Sequence, residues 1–202
     1  DAHIFIYHRF NDSRYPTTNT TLEELRKEFD YFKKNGYEVI PLEKLVNALH
    51  NKEAIPDNWV VLTIDDNYKS FYEHGLALFK EYNYPFSMFV YVGATEQKYG
   101  DFMSWEELKE IQKYGSLEFH SMNHPHMTHL SDEALKADMA ANEVDYLAGL
   151  LNAAEDAEDE TKKIEIVRNG KTYFAFGAEG TSGYSGFGNI GNSENGNYTT
   201  TG

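Results

Sequence analysis

The sequence predicts an α/β fold built on parallel strands, and two observations support this prediction. The first 130 residues alternate strand-like and helix-like segments in five successive βα units. Such alternation is typical of parallel strands joined by crossover helices. Residues 59–64 (WVVLTI) form an uninterrupted apolar run, as expected of a strand that is covered on both faces. A barrel and an open, doubly wound sheet both satisfy this pattern.

The individual elements follow from local patterns. Short apolar runs predict strands at 3–7 (a short buried strand), 37–40, 59–64, 86–92 and 117–119. Two capping boxes, Thr21 with Glu24 and Ser104 with Glu107, predict the starts of two helices. Gly36 is expected to end the first of these helices, and a region near Gly115 the second. Further helices are predicted at 42–50, at 69–82 and after Ser131.

The character of the chain changes after about residue 150. Residues 164–176 indicate a hairpin with Asn169-Gly170 as a type I′ turn. Residues 177–202 hold 8 of the 15 glycines, together with many Ser, Thr and Asn residues. We therefore predict one domain over residues 1–176, followed by a poorly ordered Gly/Ser/Asn-rich tail over 177–202.

Composition excludes several classes of function. The net charge of -15 argues against nucleic acid as a partner, because phosphate binding needs clustered Lys and Arg. A neutral or cationic partner is compatible with this charge. The chain has no cysteine, which excludes disulfides, thiolate metal sites and cysteine nucleophiles. No segment has the roughly 18 uninterrupted apolar residues of a membrane span. The sequence does not indicate an oligomeric state.

Polar residues follow three of the predicted strands at their carboxyl ends. His8 follows the first strand, Asp65 and Asp66 the third, and His120 and His124 the fifth. In parallel α/β folds these ends meet at one rim, where active sites are built. We therefore expect residues from three distant segments to lie together.

Two histidines and one carboxylate with open positions suit Zn²⁺ or another divalent first-row metal. Two adjacent acids on a strand or turn point in different directions, so one can bind the metal while the other faces a water that the metal has acidified. Together, a metal site and a neighbouring carboxylate indicate an enzyme that hydrolyses an amide or an ester. Each motif alone also has a structural interpretation, such as a helix cap for the paired acids. His126 and His129 are interpreted as surface groups or groups behind the ligands.

Two segments resemble motifs of the NodB-homology polysaccharide deacetylases, also called carbohydrate esterase family 4. Residues 61–68 (VLTIDDNY) resemble the first motif, a strand ending in T-F-D-D-G-Y. Residues 120–126 (HSMNHPH) resemble the second motif, H-S/T-x-x-H-P-H. Residues 7–10 (YHRF) and 102–105 (FMSW) are similar to further family segments. The resemblance covers residues 1–136.

This resemblance implies roles for the site residues. It implies Asp65 as the catalytic base, and Asp66, His120 and His124 as ligands of Zn²⁺ or of another divalent ion such as Co²⁺ or Ni²⁺. It implies removal of N-acetyl groups from an N-acetylglucosamine-containing polysaccharide, and an extracytoplasmic location. The implied fold is a distorted, incomplete (β/α) barrel resembling the seven-stranded NodB-homology barrel.

Substrate contacts are expected from Tyr68, through its backbone N–H, and from Trp105. The family takes its general acid from a histidine late in the chain, and no histidine follows His129. Protonated Asp65 or His8 would then have to donate the proton to the leaving amine, which predicts weakened activity.

Other departures from the family concern the first and third motifs. Asn67 stands where Gly is usual, and residues 174–180 only faintly echo the third motif. One alternative is therefore a catalytically silent carbohydrate-binding module that retains the metal site. A second alternative is a remnant with no site. Acetate release separates the first alternative from an enzyme, and tight metal binding separates the second.

Overall fold

A computed structural model describes residues 1–141 and three later strands, 164–168, 171–175 and 187–190. The chain divides into two units, Asp1–Tyr146 and Leu147–Gly202. The first unit contains a sheet of five parallel strands: β1 (His3–Tyr7), β4 (Glu38–Val39), β5 (Trp59–Asp65), β6 (Ser87–Val90) and β7 (Ser116–Phe119). The strands β2 (Arg9–Phe10) and β3 (Asn19–Thr20) form a separate, two-stranded parallel sheet.

The strands of the sheet are ordered β1-β5-β6-β7, and β4 pairs with the first residues of β5. The helices that connect them are α1 (Leu22–Lys34), α2 (Leu42–His50), α3 (Leu76–Tyr82), α4 (Val92–Glu96) and α5 (Trp105–Ile111). A sixth helix, α6, covers 132–141 within the described residues. The α/β prediction is confirmed, and within the described part of the chain the sheet is not closed into a barrel.

The predicted helix starts are confirmed in atomic detail. The Thr21 hydroxyl accepts a hydrogen bond from the N–H of Glu24, and the Glu24 carboxylate accepts one from the N–H of Thr21. Ser104 and Glu107 make the same reciprocal pair at the start of α5. Each pair satisfies N–H groups that have no partner within the first helical turn.

The central strand β5 is buried over six of its seven residues, as its apolar run predicts. On one face, Trp59 and Val61 pack in a cluster with Ile40, Leu45 and Ala48. Leu62 points to the opposite face, because side chains alternate along a strand. It pairs there with Phe5, whose ring contacts Phe32 of α1 with 5.0 Å between ring centroids.

The prediction of a buried first strand is wrong for one of its faces. Ile4 is 53% exposed and Ile6 is 62% exposed. Ile4 and Ile6 point to the same face of the sheet, and their exposure shows that this face of β1 is largely uncovered. An apolar run reveals that a strand fits a sheet, but it does not reveal whether both faces are covered.

The predicted helix at 69–82 is present, with one irregularity. Residues Phe71–Gly75 form a π-helical turn that leads into α3. A Cβ at Gly75 would lie 2.9 Å from the ring of Phe10 and the ring of Phe71. The missing side chain therefore allows the Phe10 ring to reach this helix and fill the core.

The second unit contains three antiparallel strands in the order β10-β9-β8: β8 (Ile164–Arg168), β9 (Lys171–Ala175) and β10 (Phe187–Ile190). The predicted hairpin strands are thus confirmed, whereas its turn at Asn169-Gly170 lies outside the described residues. The domain boundary at residue 176 and the poor order of 177–202 stay predictions, since most of that segment lies outside the described residues. No helix in the described parts of the chain is long and apolar enough to cross a membrane.

Candidate metal centre

The Asp65-Asp66 pair lies where β5 ends. Asp65 is the last residue of the strand and pairs with Phe89 of β6. Asp66 then turns to a left-handed conformation with φ 69° and donates its N–H to the Phe89 carbonyl at 3.0 Å. This turn ends the alternation of the strand, so the two adjacent carboxylates project in different directions.

The segment that carries both histidines follows β7. The N–H of His120 donates to the Val90 carbonyl at 3.0 Å, which continues the sheet by one residue. Ser121 then adopts φ 67°, and its hydroxyl accepts a hydrogen bond from the N–H of His124 at 3.0 Å. His124 itself has φ 49°. This tight loop returns the second histidine to the first.

Three side-chain atoms form a nearly equilateral triangle. Asp66 Oδ1 lies 3.2 Å from His120 Nε2 and 3.1 Å from His124 Nε2, and the two Nε2 atoms are 3.2 Å apart. The carboxylate is buried, whereas the His124 side chain is 50% exposed. The triangle is therefore shielded from solvent at Asp66 and accessible to solvent at His124.

These residues fit a divalent metal ion. Donor atoms about 2.0–2.1 Å from one ion lie about 2.9 Å apart in an octahedral site and about 3.4 Å apart in a tetrahedral one, and the triangle falls between these values. Among the described residues, Asp66 Oδ1 is also buried without a hydrogen-bond partner of acceptable geometry. A cation at the centre of the triangle would satisfy this oxygen.

The local environment separates the two carboxyl groups. Burial raises the pKa of Asp66, but close contact with His120 and the charges of His124 and His120 outweigh it, so this pKa lies below its usual range. Burial raises the pKa of Asp65 and is only partly offset by His120 and His8. Contact with Asp66 raises the pKa of His120 against the effect of its burial. The Asp66 carboxyl group is thus the stronger acid, and the Asp65 carboxylate is the better proton acceptor.

His8 lies next to the predicted base. Its Nε2 is 4.0 Å from Asp65 Oδ2, and both side chains are partly exposed. His8 immediately follows β1, which pairs with β5 in register as far as Tyr7 and Ile64. The structure therefore brings together the five residues that the sequence placed at one rim.

Of the two predicted substrate-binding residues, Tyr68 lies two residues after Asp66 in the chain. The Tyr68 ring packs on Phe102 with a centroid separation of 4.8 Å, and the Arg9 guanidinium lies 3.6 Å from the Tyr68 ring centroid. Trp105 begins α5 and donates its indole N–H to Glu96 at 2.7 Å. Phe102 and Trp105 line one open groove of about 420 Å³.

His126 and His129 do not join the triangle. Both are exposed, and their rings lie 5.4 Å apart in the segment that follows the second motif. The group of residues that can hold one metal ion, among those described, contains Asp66, His120 and His124.

Sequence reasoning missed several residues that hold the histidine loop. The carboxylate of Asp138, in α6, accepts hydrogen bonds from the N–H groups of Met122 and Asn123 and from the Asn123 side chain, at 2.7–3.1 Å. Gly93 donates its N–H to the Met122 carbonyl at 3.0 Å. The Tyr91 ring packs on His124 at 5.4 Å. None of these residues has a local signal, because each acts on a segment 15 to 33 residues away.

The fold and the site together define an α/β protein whose sheet carries, at its carboxyl rim, two histidines and a carboxylate that could hold a metal ion. A family model for polysaccharide deacetylase matches residues 52–152, which is half of the chain. The chain therefore belongs to the polysaccharide deacetylase family, as the two motifs predicted.

Individual relatives agree with this assignment. The poly-beta-1,6-N-acetyl-D-glucosamine N-deacetylase of Escherichia coli (strain K12) is 26% identical over 116 residues, which cover 50% of this chain and 17% of that protein. This chain thus spans only a small part of the length of that curated relative.

Two solved structures share the fold. The Streptococcus pyogenes deacetylase PplD, in complex with acetate, superposes with a TM-score of 0.66 and 24% identity over 75% of this chain and 69% of that chain. IcaB from Ammonifex degensii gives a TM-score of 0.61 and 22% identity over 74% of this chain and 69% of that one.

Proposed function

We propose that this protein is a metal-dependent hydrolase that removes N-acetyl groups from an N-acetylglucosamine-containing polysaccharide. The observation that carries the proposal is the Asp66, His120 and His124 triangle with the Asp65 carboxylate beside it. Membership of the polysaccharide deacetylase family, and similarity to the poly-beta-1,6-N-acetyl-D-glucosamine N-deacetylase of Escherichia coli, support this substrate class. An extracytoplasmic location is part of the proposal, since such polymers lie outside the cytoplasm.

Asp66, His120 and His124 would hold the ion, for which Zn²⁺, Co²⁺ and Ni²⁺ are the candidates. When bound, a divalent ion acidifies water and polarises a carbonyl group. The open side of the triangle, at the exposed His124, leaves room for water and for an acetyl group. The low pKa of Asp66 keeps this carboxylate charged, as a metal ligand must be.

Asp65 acts as the general base in this proposal. It accepts a proton from the attacking water as the new C–O bond forms at the acetyl carbonyl. Its raised pKa favours this transfer, since a base works best when its pKa approaches the working pH. Breaking the C–N bond then requires a proton on the departing amine. Asp65 can return its proton, or His8 can deliver one, since the two side chains lie 4.0 Å apart.

We place part of the polysaccharide in the groove that holds Trp105. Aromatic side chains bind sugars through their apolar faces, and Phe102 and Trp105 supply such faces beside Tyr68. The net charge of -15 is compatible with a neutral polymer, and with the cationic amine product that deacetylation creates.

The test measures acetate release from β-linked N-acetylglucosamine oligomers, with Zn²⁺, Co²⁺ or Ni²⁺ added and after chelation. An aryl acetate serves in parallel as a small activated substrate. Cleavage of both substrates that is lost on chelation and in Asp65→Asn supports the proposal. Cleavage of the ester alone would indicate a weakened deacetylase. Tight metal and oligosaccharide binding without any hydrolysis would instead establish the silent carbohydrate-binding module.

A further inference from the structure

The side chain that follows the paired carboxylates is buried within the loops of the site. Asn67 has 0% exposure and a left-handed backbone with φ 43°, directly after Asp66 with φ 69°. Two consecutive residues with positive φ are unfavourable for any side chain, and Asn tolerates this conformation better than most. The backbone alone would favour Gly at this position, so the asparagine side chain needs a separate explanation.

Both ends of the Asn67 amide are used. Its Oδ1 accepts a hydrogen bond from the N–H of Tyr91 at 2.7 Å, and its Nδ2 donates to the Thr95 hydroxyl at 2.9 Å. The Thr95 hydroxyl donates in turn to the Met103 carbonyl at 3.0 Å. The N–H of Met103 donates to the Asn67 carbonyl at 3.0 Å, which closes a ring of hydrogen bonds. Thr95 and Met103 are buried as well.

The Asn67 side chain links the two segments that carry the metal ligands, through its hydrogen bond to Tyr91. Asp66 precedes Asn67 directly, so the carboxylate ligand belongs to the loop that the amide fixes. Tyr91 receives the other end of the amide, and its ring packs on His124 at 5.4 Å. One side chain therefore connects the carboxylate ligand to the residue that supports a histidine ligand.

We propose that Asn67 is a positioning residue that sets the separation between the carboxylate and histidine ligands, and thereby the affinity for the metal ion. This inference rests on the metal site of the proposed function. Asn67 does not touch the ligand atoms. It acts through the backbone of Asp66 on one side and through Tyr91 on the other. Residues behind metal ligands commonly change metal affinity by about 10–100-fold when they are replaced.

A purely structural role makes a different prediction. If Asn67 only fills space and satisfies buried polar groups, its loss would lower the thermal stability of the metal-free protein. The affinity of the protein that remains folded would then be unchanged. Metal affinity and metal-free stability must therefore be measured separately on each variant.

Asn67→Gly is the informative substitution, because Gly accepts the positive φ and removes only the amide. Asn83→Gly is the matched control, since Asn83 also has positive φ, at 53°, but is exposed at the end of α3. Thr95→Val and Thr95→Ser form a second pair. The first removes the hydroxyl that receives the amide, whereas the second retains it.

Each protein is first freed of metal with a chelator and then titrated with Zn²⁺ below its unfolding temperature. The absorption spectrum of the Co²⁺-loaded protein and the unfolding temperature of the metal-free protein are recorded in parallel. We expect Asn67→Gly to weaken Zn²⁺ binding at least about 10-fold and to change the Co²⁺ spectrum. Thr95→Val should change the Zn²⁺ affinity and the Co²⁺ spectrum in the same direction, but by less. Asn83→Gly and Thr95→Ser should match the wild type in both measurements.

Wild-type affinity and an unchanged Co²⁺ spectrum in Asn67→Gly would overturn the inference, even if the variant unfolds at a lower temperature. If Asn67→Gly does not fold, the comparison of Thr95→Val with Thr95→Ser decides instead. Equal Zn²⁺ affinities in these two variants would contradict the positioning role of Asn67. A wild-type protein that binds neither ion would refute the proposed metal site itself, so the two failures are distinguishable.

Discussion

Gly93 offers a direct test of how tightly the ligand triangle is held. A Cβ at this position would lie 2.3 Å from the Met122 carbonyl oxygen, whereas real Cβ atoms essentially never approach closer than 3.0 Å and ordinary contact begins at 3.4 Å. Gly93→Ala therefore requires a displacement of about 0.7–1.1 Å, by subtraction of these distances. The clashing atom is a backbone oxygen, so no side-chain rotation can relieve the clash.

The displaced carbonyl belongs to the residue midway between the two histidine ligands. Met122 is two residues from His120 and two from His124, so a shift of this size reaches both imidazoles. Functional groups must be held to within about 0.5 Å, and a misplacement of about 1 Å can cost about 100-fold. We therefore expect Gly93→Ala to weaken Zn²⁺ binding by about 10–100-fold and to reduce hydrolysis at subsaturating metal.

Two other glycines supply controls. A Cβ at Gly115 would lie 2.5 Å from the Phe86 carbonyl, which is a comparable clash at the start of β7, the end of the strand away from His120. A Cβ at Gly100 would meet nothing within 4 Å. Gly115→Ala should lower stability without weakening metal binding, and Gly100→Ala should change neither. Isothermal titration with Zn²⁺ and thermal unfolding of the chelated proteins measure both quantities. Equal Zn²⁺ affinity in Gly93→Ala and Gly100→Ala would show that the reasoning is wrong.

Three further predictions use the same measurements or simple denaturation. His124→Ala should weaken Zn²⁺ binding at least about 100-fold, and His129→Ala less than about 2-fold, so equal losses would contradict the ligand assignment. Hydrogen bonds from Arg14 hold the pKa of Asp12 at about 2, against an ordinary 3.8. The stability that the charged Asp12 adds relative to Asp12→Asn should therefore be full well above the unfolded pKa of 3.8 and be lost as the pH falls through about 2. If urea unfolding gives the same stability difference across this range, the prediction is wrong. Phe79→Ala should lower the free energy of unfolding by about 3–5 kcal/mol, because its buried ring contacts five other aromatic rings, and a loss below about 1 kcal/mol would contradict that packing.

The rim of the site was predictable because it depends on strand ends. A strand that ends at Asp65 places Asp66 beyond the sheet, and a strand that ends at Phe119 does the same for His120. Parallel pairing then brings these positions together without any knowledge of loop structure. The apolar runs and capping boxes that define the strand and helix boundaries are local features, so the sequence shows them directly.

The supports of the site were not predictable in the same way. In the sequence, nothing distinguishes Asp138 from other acidic residues on a helix. Its hydrogen bonds to Met122 and Asn123 depend on how α6 lies against the histidine loop. The exposure of Ile4 depends on what covers the sheet rather than on the periodicity of β1. Left-handed backbone at Ser121 and His124 has no signal either, because neither residue type requires it.

The backbone conformations show how the structure achieves the triangle. Eight non-glycine residues in the described part of the chain have positive φ, and four of them, Asp66, Asn67, Ser121 and His124, belong to the two ligand-bearing loops. Such conformations persist only where surrounding contacts over-determine them. Here those contacts come from neighbouring strands and from buried side-chain hydrogen bonds, all within residues 1–141.

The position of these supports separates two properties of the protein. Among the described residues, the triangle, Asp65 and the contacts that hold them lie in the first unit. In the proposed function, metal binding and water activation use these residues. A polymer needs contacts along an extended surface, for which we propose the groove at Trp105 as one part. A small activated ester needs only the triangle and the base. Because binding and orientation contribute much of an enzyme's acceleration, the ratio of oligosaccharide to ester turnover measures how complete that surface is, independently of how well the metal is held.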